Sequence, residues 1–385
     1  MINELKGTIE ANRSALKELS QNIWHNPETA FKEFKACAWQ VELLTKLGYA
    51  PVTPAYGLET AYSVESGSGQ PVFAIAAEYD ALPQIGHACG HNLICTASIA
   101  AFIAADAYMK AHGIPGKLVL LGTPAEESGS GKVRMLAKGC LDGVDAVMML
   151  HPENRTGNDC GSTAIRRFDV EFQGKAAHAA GAPEEGVNAL DAVHLLFDGV
   201  NCYRQQMPEF TRVHGIVTNG GAAPNIIPEK ASARFFLRSS KEAWEDKLEA
   251  RFRKIVEGAS MMTGASYTIT PFSIPCKSRK PNGPMNAAFI CAAEQAGMNP
   301  QVSTGQGRGS SDFGDFSHAC PGVHCSFCIS EKKVAGHSLE MAQAAKSEFA
   351  FENTLKGGAA MAAVAIKFMQ DAEFRTQVAA DFKNN

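Results

Sequence analysis

Four stretches of the chain are almost continuously apolar, at residues 72–76, 117–122, 146–150 and 322–329, and each is short and bounded by polar residues. That pattern predicts strands buried on both faces, as in a parallel sheet covered by helices. Helical patterns lie between and around them, at 93–109 (Ala-rich), 285–296 and 354–369. The N-terminal 4–47 also reads as helical, broken at His25-Asn26-Pro27-Glu28, where the proline fits a new helix start. After Gly161 the pattern changes. Phe168, Val170 and Phe172 alternate with Asp169 and Glu171, which predicts a sheet with one wet face. A helix over 187–206, strands over 212–218 and 231–238, a helix over 241–262 and a strand over 266–272 complete a β-α-β-β-α-β order. The reading is therefore an α/β catalytic domain, with a mixed, mostly parallel sheet flanked by helices, formed by residues 1–164 and 276–385. An α+β ferredoxin-like domain of residues 165–275 is inserted into it.

Composition narrows the function class. With 385 residues, 45% hydrophobic and 20% charged, the chain has the makeup of a globular protein of about two domains. A net charge of -4 offers no basic patch for nucleic acid. Residues 1–17 lack the apolar core of a signal peptide, and no run approaches the eighteen apolar residues of a membrane span. The eleven cysteines are scattered and odd in number, which fits a reduced, cytoplasmic protein rather than a disulfide framework.

Three of the predicted strands run into potential ligands. The first leads to Glu78-Tyr-Asp80 and then to Cys89-Gly-His91, the second to Glu126-Glu127, and the third to His151-Pro-Glu153. Sites of open α/β sheets sit beyond the strands' carboxyl ends. With His337, the residues Cys89, His91, Glu127 and His151 make a mixed S, N and O donor set that zinc accepts. Five ligands exceed the need of one tetrahedral ion and suit two ions with a shared bridging group. Of the adjacent glutamates one can ligate while the other takes a proton from water. Glu127 as ligand and Glu126 as base is the assignment adopted, although their order does not fix it.

Taken singly, a histidine such as His151 or His337 is more often a core or surface residue than a ligand, and it is the joint occurrence at successive strand ends that carries weight. Cys320, Cys325 and Cys328 imitate an iron-sulfur spacing but have no fourth cysteine downstream, so they read as small buried hydrophobes. Gly305-Gln-Gly-Arg-Gly309 lacks the Lys-Ser/Thr of a P-loop and reads as a flexible loop carrying Asp312 and Asp315 near the site. A thiol hydrolase using Cys89 would leave Glu126, Glu127, His151 and His337 without a task. A non-catalytic binding protein would not need Glu126.

The chain resembles, over nearly its whole length, the dinuclear metal-dependent amidohydrolases and exopeptidases that include aminoacylase, auxin-conjugate hydrolases and p-aminobenzoyl-glutamate hydrolase. The matching motifs are Asp80-Ala-Leu-Pro83, His87-Ala-Cys-Gly-His91, Pro124-Ala-Glu-Glu127, Leu150-His-Pro152, Gly174-Lys-Ala-Ala-His178, Asn188-Ala-Leu-Asp-Ala192, Pro224-Asn-Ile-Ile-Pro228 and Gly336-His337. The resemblance implies two divalent ions, zinc or manganese, bridged by Cys89. His91 and His151 would complete one site and Glu127 and His337 the other, with Glu126 as general base. It further implies that His178 reaches the active site of a partner subunit in a homodimer, where it polarises the scissile carbonyl, and that Asn225 and Arg238 bind a substrate carboxylate. Asn92 stands where auxin-conjugate hydrolases carry aspartate, which is more like the aminobenzoyl-glutamate and β-alanyl dipeptide hydrolases. Its lack of charge would alter the ligands' outer shell and so ion preference. The implied activity is hydrolysis of the amide bond in N-acyl amino acids, aminobenzoyl-glutamate-like conjugates or dipeptides with a free carboxylate; the alternative inside the family is a carbamoyl-amino-acid hydrolase.

Overall fold

The computed structural model describes residues 1–384. They form two compact units: residues 1–161, 279–307 and from 311 onward in the first, and 162–278 with 308–310 in the second.

The first unit is built on a five-stranded sheet. Its strands are β1 (Tyr62–Ser68), β2 (Val72–Ala77), β3 (Gly116–Gly122), β4 (Ala146–Glu153) and, late in the chain, Gly322–Cys328, which is β9. The order is β1-β3-β2-β4-β9, with β1 antiparallel to β3 and every other neighbouring pair parallel. Continuous apolar runs are what such a sheet requires. Phe73, Ile75 and Ala77 of β2 enter one hydrophobic cluster, and Val72, Ala74 and Ala76 enter another on the opposite face. Helix His91–His112 and helix Glu348–Gln370 belong to the first of these clusters.

The second unit is a four-stranded antiparallel sheet of β5 (Ala164–Gln173), β6 (Thr211–Asn219), β7 (Lys230–Ser239) and β8 (Ser266–Pro271), ordered β6-β7-β5-β8. With helices Ala189–Arg204 and Glu242–Thr263 between strands, this is the split β-α-β order. Phe168, Val170 and Phe172 point into one core with Phe235, Leu196 and Phe252. Asn188 starts the first helix by accepting the Leu190 N–H at 3.0 Å.

Several expectations are corrected. The helix after Pro27 begins only at Phe34, because Glu28 is drawn off to accept the N–H groups of Lys35 and Ala36 at that helix's first turn. Helix His91–His112 is long and apolar enough to cross a membrane, contrary to the sequence reading, yet 89% of its apolar window is buried inside the unit, as befits a core helix. Asp312 and Asp315 are not on a flexible loop: both are buried, at the start and within helix Phe313–Ala319. Elements the sequence pattern did not predict include β1, that helix, the short helices Glu126–Gly129, Gly131–Leu136 and Leu339–Ala344, and the C-terminal helix Ala372–Asn384.

Candidate metal and active site

The strands β2, β3 and β4 run parallel, so the segments beyond β2 and β3 and the end of β4 share one edge of the sheet. Cys89 and His91 flank Gly90, which has φ 75°. A Cβ there would lie 2.8 Å from Pro152 Cγ, so the intervening residue has to be glycine both for its backbone and for its space. His151 sits within β4 itself. Glu126 and Glu127 open the short helix Glu126–Gly129, directly after Ala125 at φ 62°. His337 is also left-handed, at φ 55°. Non-glycine residues in that region are strained by about 1–3 kcal/mol, a cost met mostly at functional sites.

Among the groups of ligand atoms that result, each with all atoms within 4.8 Å of one another, two contain Cys89: Cys89, His91 and His151, and Cys89, Glu127 and His337. Cys89 belongs to both. Its Sγ is 3.4 Å from His151 Nε2, while His337 Nε2 is 3.6 Å from Glu127 Oε1. Each histidine of the first group is oriented by its other nitrogen. His91 Nδ1 lies 3.0 Å from Asp80 Oδ1, and His151 Nδ1 lies 2.8 Å from the Pro152 carbonyl oxygen. Donation through Nδ1 leaves each Nε2 lone pair aimed at the site. Asp80 also accepts the Glu127 N–H at 3.0 Å through its second oxygen, tying the two groups together. His324 stacks on His151 with centroids 5.2 Å apart.

The electrostatics are those of a crowded acidic pocket. Burial, with Glu78, Glu127 and Asp312 nearby, raises the Glu126 carboxyl well above its ordinary range. Burial also raises Glu127, against the opposing pull of His91. The Cys89 thiol is pushed up by burial, and His151 is pushed down by it. His91 is held well above its ordinary value because Asp80 and Cys89 outweigh its burial. Such a set is relieved by positive charge. His91 Nε2 and Glu127 Oε1 are moreover buried without a hydrogen-bond partner, which a native interior avoids unless something else satisfies them. A thiol shared by two groups, imidazole lone pairs and a carboxylate together fit one divalent cation in each.

Of the other predicted residues, His178, Asn225 and Arg238 belong to the second unit. His178 Nδ1 accepts the N–H groups of Ala180 and Gly181 at 3.2 and 3.0 Å, so in the neutral ring the proton is on Nε2. Ala179 N–H is bound to the Asn225 carbonyl at 3.0 Å, which places those two segments side by side. Arg238 donates to His214 Nε2 and Ser310 Oγ, at 3.2 and 2.8 Å, two uncharged partners given that burial and Arg238 itself lower the His214 pKa. Asn92 is corrected: its Nδ2 donates to Ser20 Oγ and the Ala345 carbonyl, in helix packing, and the residue touching the ligand is Asp80. Cys320, Cys325 and Cys328 form none of the ligand groups found among the described residues, and Cys320 and Cys325 are buried.

Sequence reasoning placed Glu78, Asp80 and Asp312 near the site without assigning any of them a specific task, and it passed over Lys132. Asp80 could have been found, since it follows β2 closely and opens a matched motif. Lys132 could not, because a single lysine on a short helix reads as a solvated one.

The family described as Peptidase family M20/M25/M40 matches residues 74–373. The chain belongs to this family. Its membership makes it a hydrolase of the peptidase class. Among curated relatives, the Xaa-Arg dipeptidase of Mus musculus is 34% identical over 377 residues, covering 93% of this chain and 86% of that one. One chain of the p-aminobenzoyl-glutamate hydrolase of Escherichia coli (strain K12) is 34% identical over 308 residues, 75% of this chain and 64% of that one. A solved Bacillus subtilis protein described as a dinuclear metal binding peptidase from the M20 family shares the fold, with a TM-score of 0.68 at 20% identity over 93% of this chain and 99% of that one.

Proposed function

We propose that the protein hydrolyses the amide bond of dipeptides, N-acyl amino acids or aminobenzoyl-glutamate-like conjugates that carry a free carboxylate. The observation that carries this is the pair of ligand groups sharing Cys89, with Glu126 beside them. One ion would be held by Cys89, His91 and His151 and a second by Cys89, Glu127 and His337. Bound there, divalent ions supply Lewis-acid polarisation of the carbonyl and acidify a water. Glu126 takes the attacking water's proton and passes it to the leaving nitrogen. The donor set accommodates zinc through its sulfur and nitrogen atoms and manganese through its nitrogen atoms and the Glu127 carboxylate.

In the second unit, Nε2–H of His178 is offered to the active site of the partner subunit in a homodimer, as a donor for the developing oxyanion, a contact worth a few kcal/mol in comparable sites. Asn225 and Arg238 receive the substrate carboxylate, Arg238 with a charge that no carboxylate neutralises among the described residues. That unit serves as lid and dimerisation domain of a homodimer: β6 is an edge strand, and its Ile216 and Val217 are exposed. A cytoplasmic setting is part of the same proposal, on the scattered, odd number of cysteines in the sequence.

The test is elemental analysis of the purified protein with a panel of Xaa-Arg and β-alanyl dipeptides, N-acyl amino acids, N-carbamoyl amino acids and p-aminobenzoyl-glutamate. About two divalent ions per chain, and turnover lost on chelation and restored by zinc or manganese, is expected. Fewer than about one ion per chain after growth with added metal, with no turnover, would overturn the reading; turnover of carbamoyl substrates alone would replace it.

A further inference from the structure

A lysine buried beside the proposed ions is the feature this function leaves unused. Lys132 follows Gly131, where a Cβ would lie 1.8 Å from the Pro124 carbonyl oxygen, so the helix Gly131–Leu136 is pressed against the strand end that delivers Glu126. The Lys132 side chain is fully buried. Its Nζ lies 2.6 Å from Glu78 Oε1 and 2.6 Å from Asp312 Oδ1, and its backbone N–H donates to Asp312 Oδ2 at 2.9 Å. Burying such an ion triad seldom gains net stability over apolar packing, so another role has to be sought for it.

Glu78 suggests that role. It is buried, and its other oxygen, Oε2, is 3.4 Å from His91 Nε2. Glu78, His91 and Glu126 form a third group of ligand atoms within 4.8 Å of one another. Two groups therefore compete for one lone pair, because His91 Nδ1 is committed to Asp80. The group with Cys89 and His151 is soft. The group with two carboxylates is hard, and would take the base Glu126 as a ligand.

We propose that Lys132, anchored by Asp312, withholds Glu78 from the metal centre, so that His91 serves the Cys89 group and Glu126 stays free to move protons. The inference rests on the metal reading above. It treats Lys132 and Asp312 as positioning residues that act through Glu78.

The test is metal affinity, not turnover. The double variant Lys132→Met/Asp312→Asn removes one cation and one anion together and leaves Glu78 unclamped. Mn²⁺ and Zn²⁺ affinities of the full chain are measured by competition with a chelator. Release of a carboxylate ligand is expected to raise Mn²⁺ affinity at least about tenfold relative to Zn²⁺, since carboxylates favour the harder ion. Adding Glu78→Gln to the double variant should cancel the gain. An outer-shell group that merely supports a ligand predicts the opposite, a loss of about 10–100-fold for both ions, and that result or an unchanged ratio overturns the proposal. Glu78→Gln alone, which keeps Lys132 and Asp312, supplies an arm independent of the double variant's folding. It should leave the Mn²⁺ to Zn²⁺ ratio within about twofold of wild type, and a selective tenfold loss of Mn²⁺ would show that Glu78 already ligates. A wild-type chain that binds neither ion would instead overturn the metal reading itself.

Discussion

The two ligand groups share one sulfur but are held in contrasting ways. His91 is fully buried, and both it and His151 spend one ring nitrogen on a fixed acceptor, Asp80 or the Pro152 carbonyl. On the other side, the His337 side chain is 57% exposed and stands on a strained backbone. The first group is set by β4, by the head of a core helix and by Asp80 just beyond β2. The second is completed by a loop residue. A site assembled this way keeps one position fixed and leaves the other adjustable.

Four substitutions probe that contrast, taken from the largest expected effect down. Glu126→Gln leaves both groups standing and removes only the proton carrier; turnover should fall by about 10³-fold while ion content is unchanged, as steady-state kinetics paired with elemental analysis will show. Full activity would remove Glu126 from the mechanism. Asp80→Asn strikes the fixed group by loosening His91, and ion affinity should drop by about 10–100-fold in chelator competition. His337→Ala strikes the adjustable group: ion content should fall to about one per chain, while the unfolding free energy of the metal-free protein stays within about 0.5 kcal/mol, as for other exposed positions. The same pattern of ion loss in these two variants would abolish the distinction between the groups.

The smallest effect concerns the support beneath Glu126. Glu33 accepts the Ala125 N–H at 2.9 Å and the Thr60 hydroxyl at 3.0 Å, and burial, helped by Asp80, pushes its carboxyl up to about 7. A folded-state pKa above the unfolded one means that the folded chain binds more protons between about pH 4.5 and 7. Stability from this group is therefore lost as pH rises through that window. Glu33→Gln should remove this dependence, so the variant gains on wild type by roughly 1 kcal/mol in denaturant midpoints compared between pH 5 and pH 8. A difference that does not change with pH would show that the Glu33 proton is not linked to folding.

How much of this was legible in the sequence depends on whether the signal was local. Continuous apolar runs gave β2, β3, β4 and β9, and alternation at Phe168, Val170 and Phe172 gave β5, because burial on two faces or one leaves a direct trace. Tyr62–Ser68 left no such trace: it is an edge strand whose later residues, Glu65 to Ser68, are polar or glycine and largely outside the core. The ligand-bearing residues stood out by chemical type and by their place after strands. Their supports did not. Lys132 is ordinary in sequence and becomes unusual only once Glu78 and Asp312, 54 positions before it and 180 after, are brought to its Nζ. Asn92 shows the reverse error, since its place beside His91 suggested a role near the metal while the helix turns its side chain toward Ser20.

The pairing of β4 with β9 has a consequence for how the chain is made. His151 lies on β4, whose free edge is covered by Gly322–Cys328, about 170 residues later. At the usual pace of about 5–20 residues per second, a ribosome needs roughly 10–30 s to reach the covering strand. Through that interval an apolar strand bearing His151, one of the five proposed ligands, waits with its hydrogen-bonding edge unpaired, while the inserted unit, whose strands pair only with one another, has all its partners at hand. The nascent first unit is thus the part of the molecule most exposed to mispairing and to capture by chaperones.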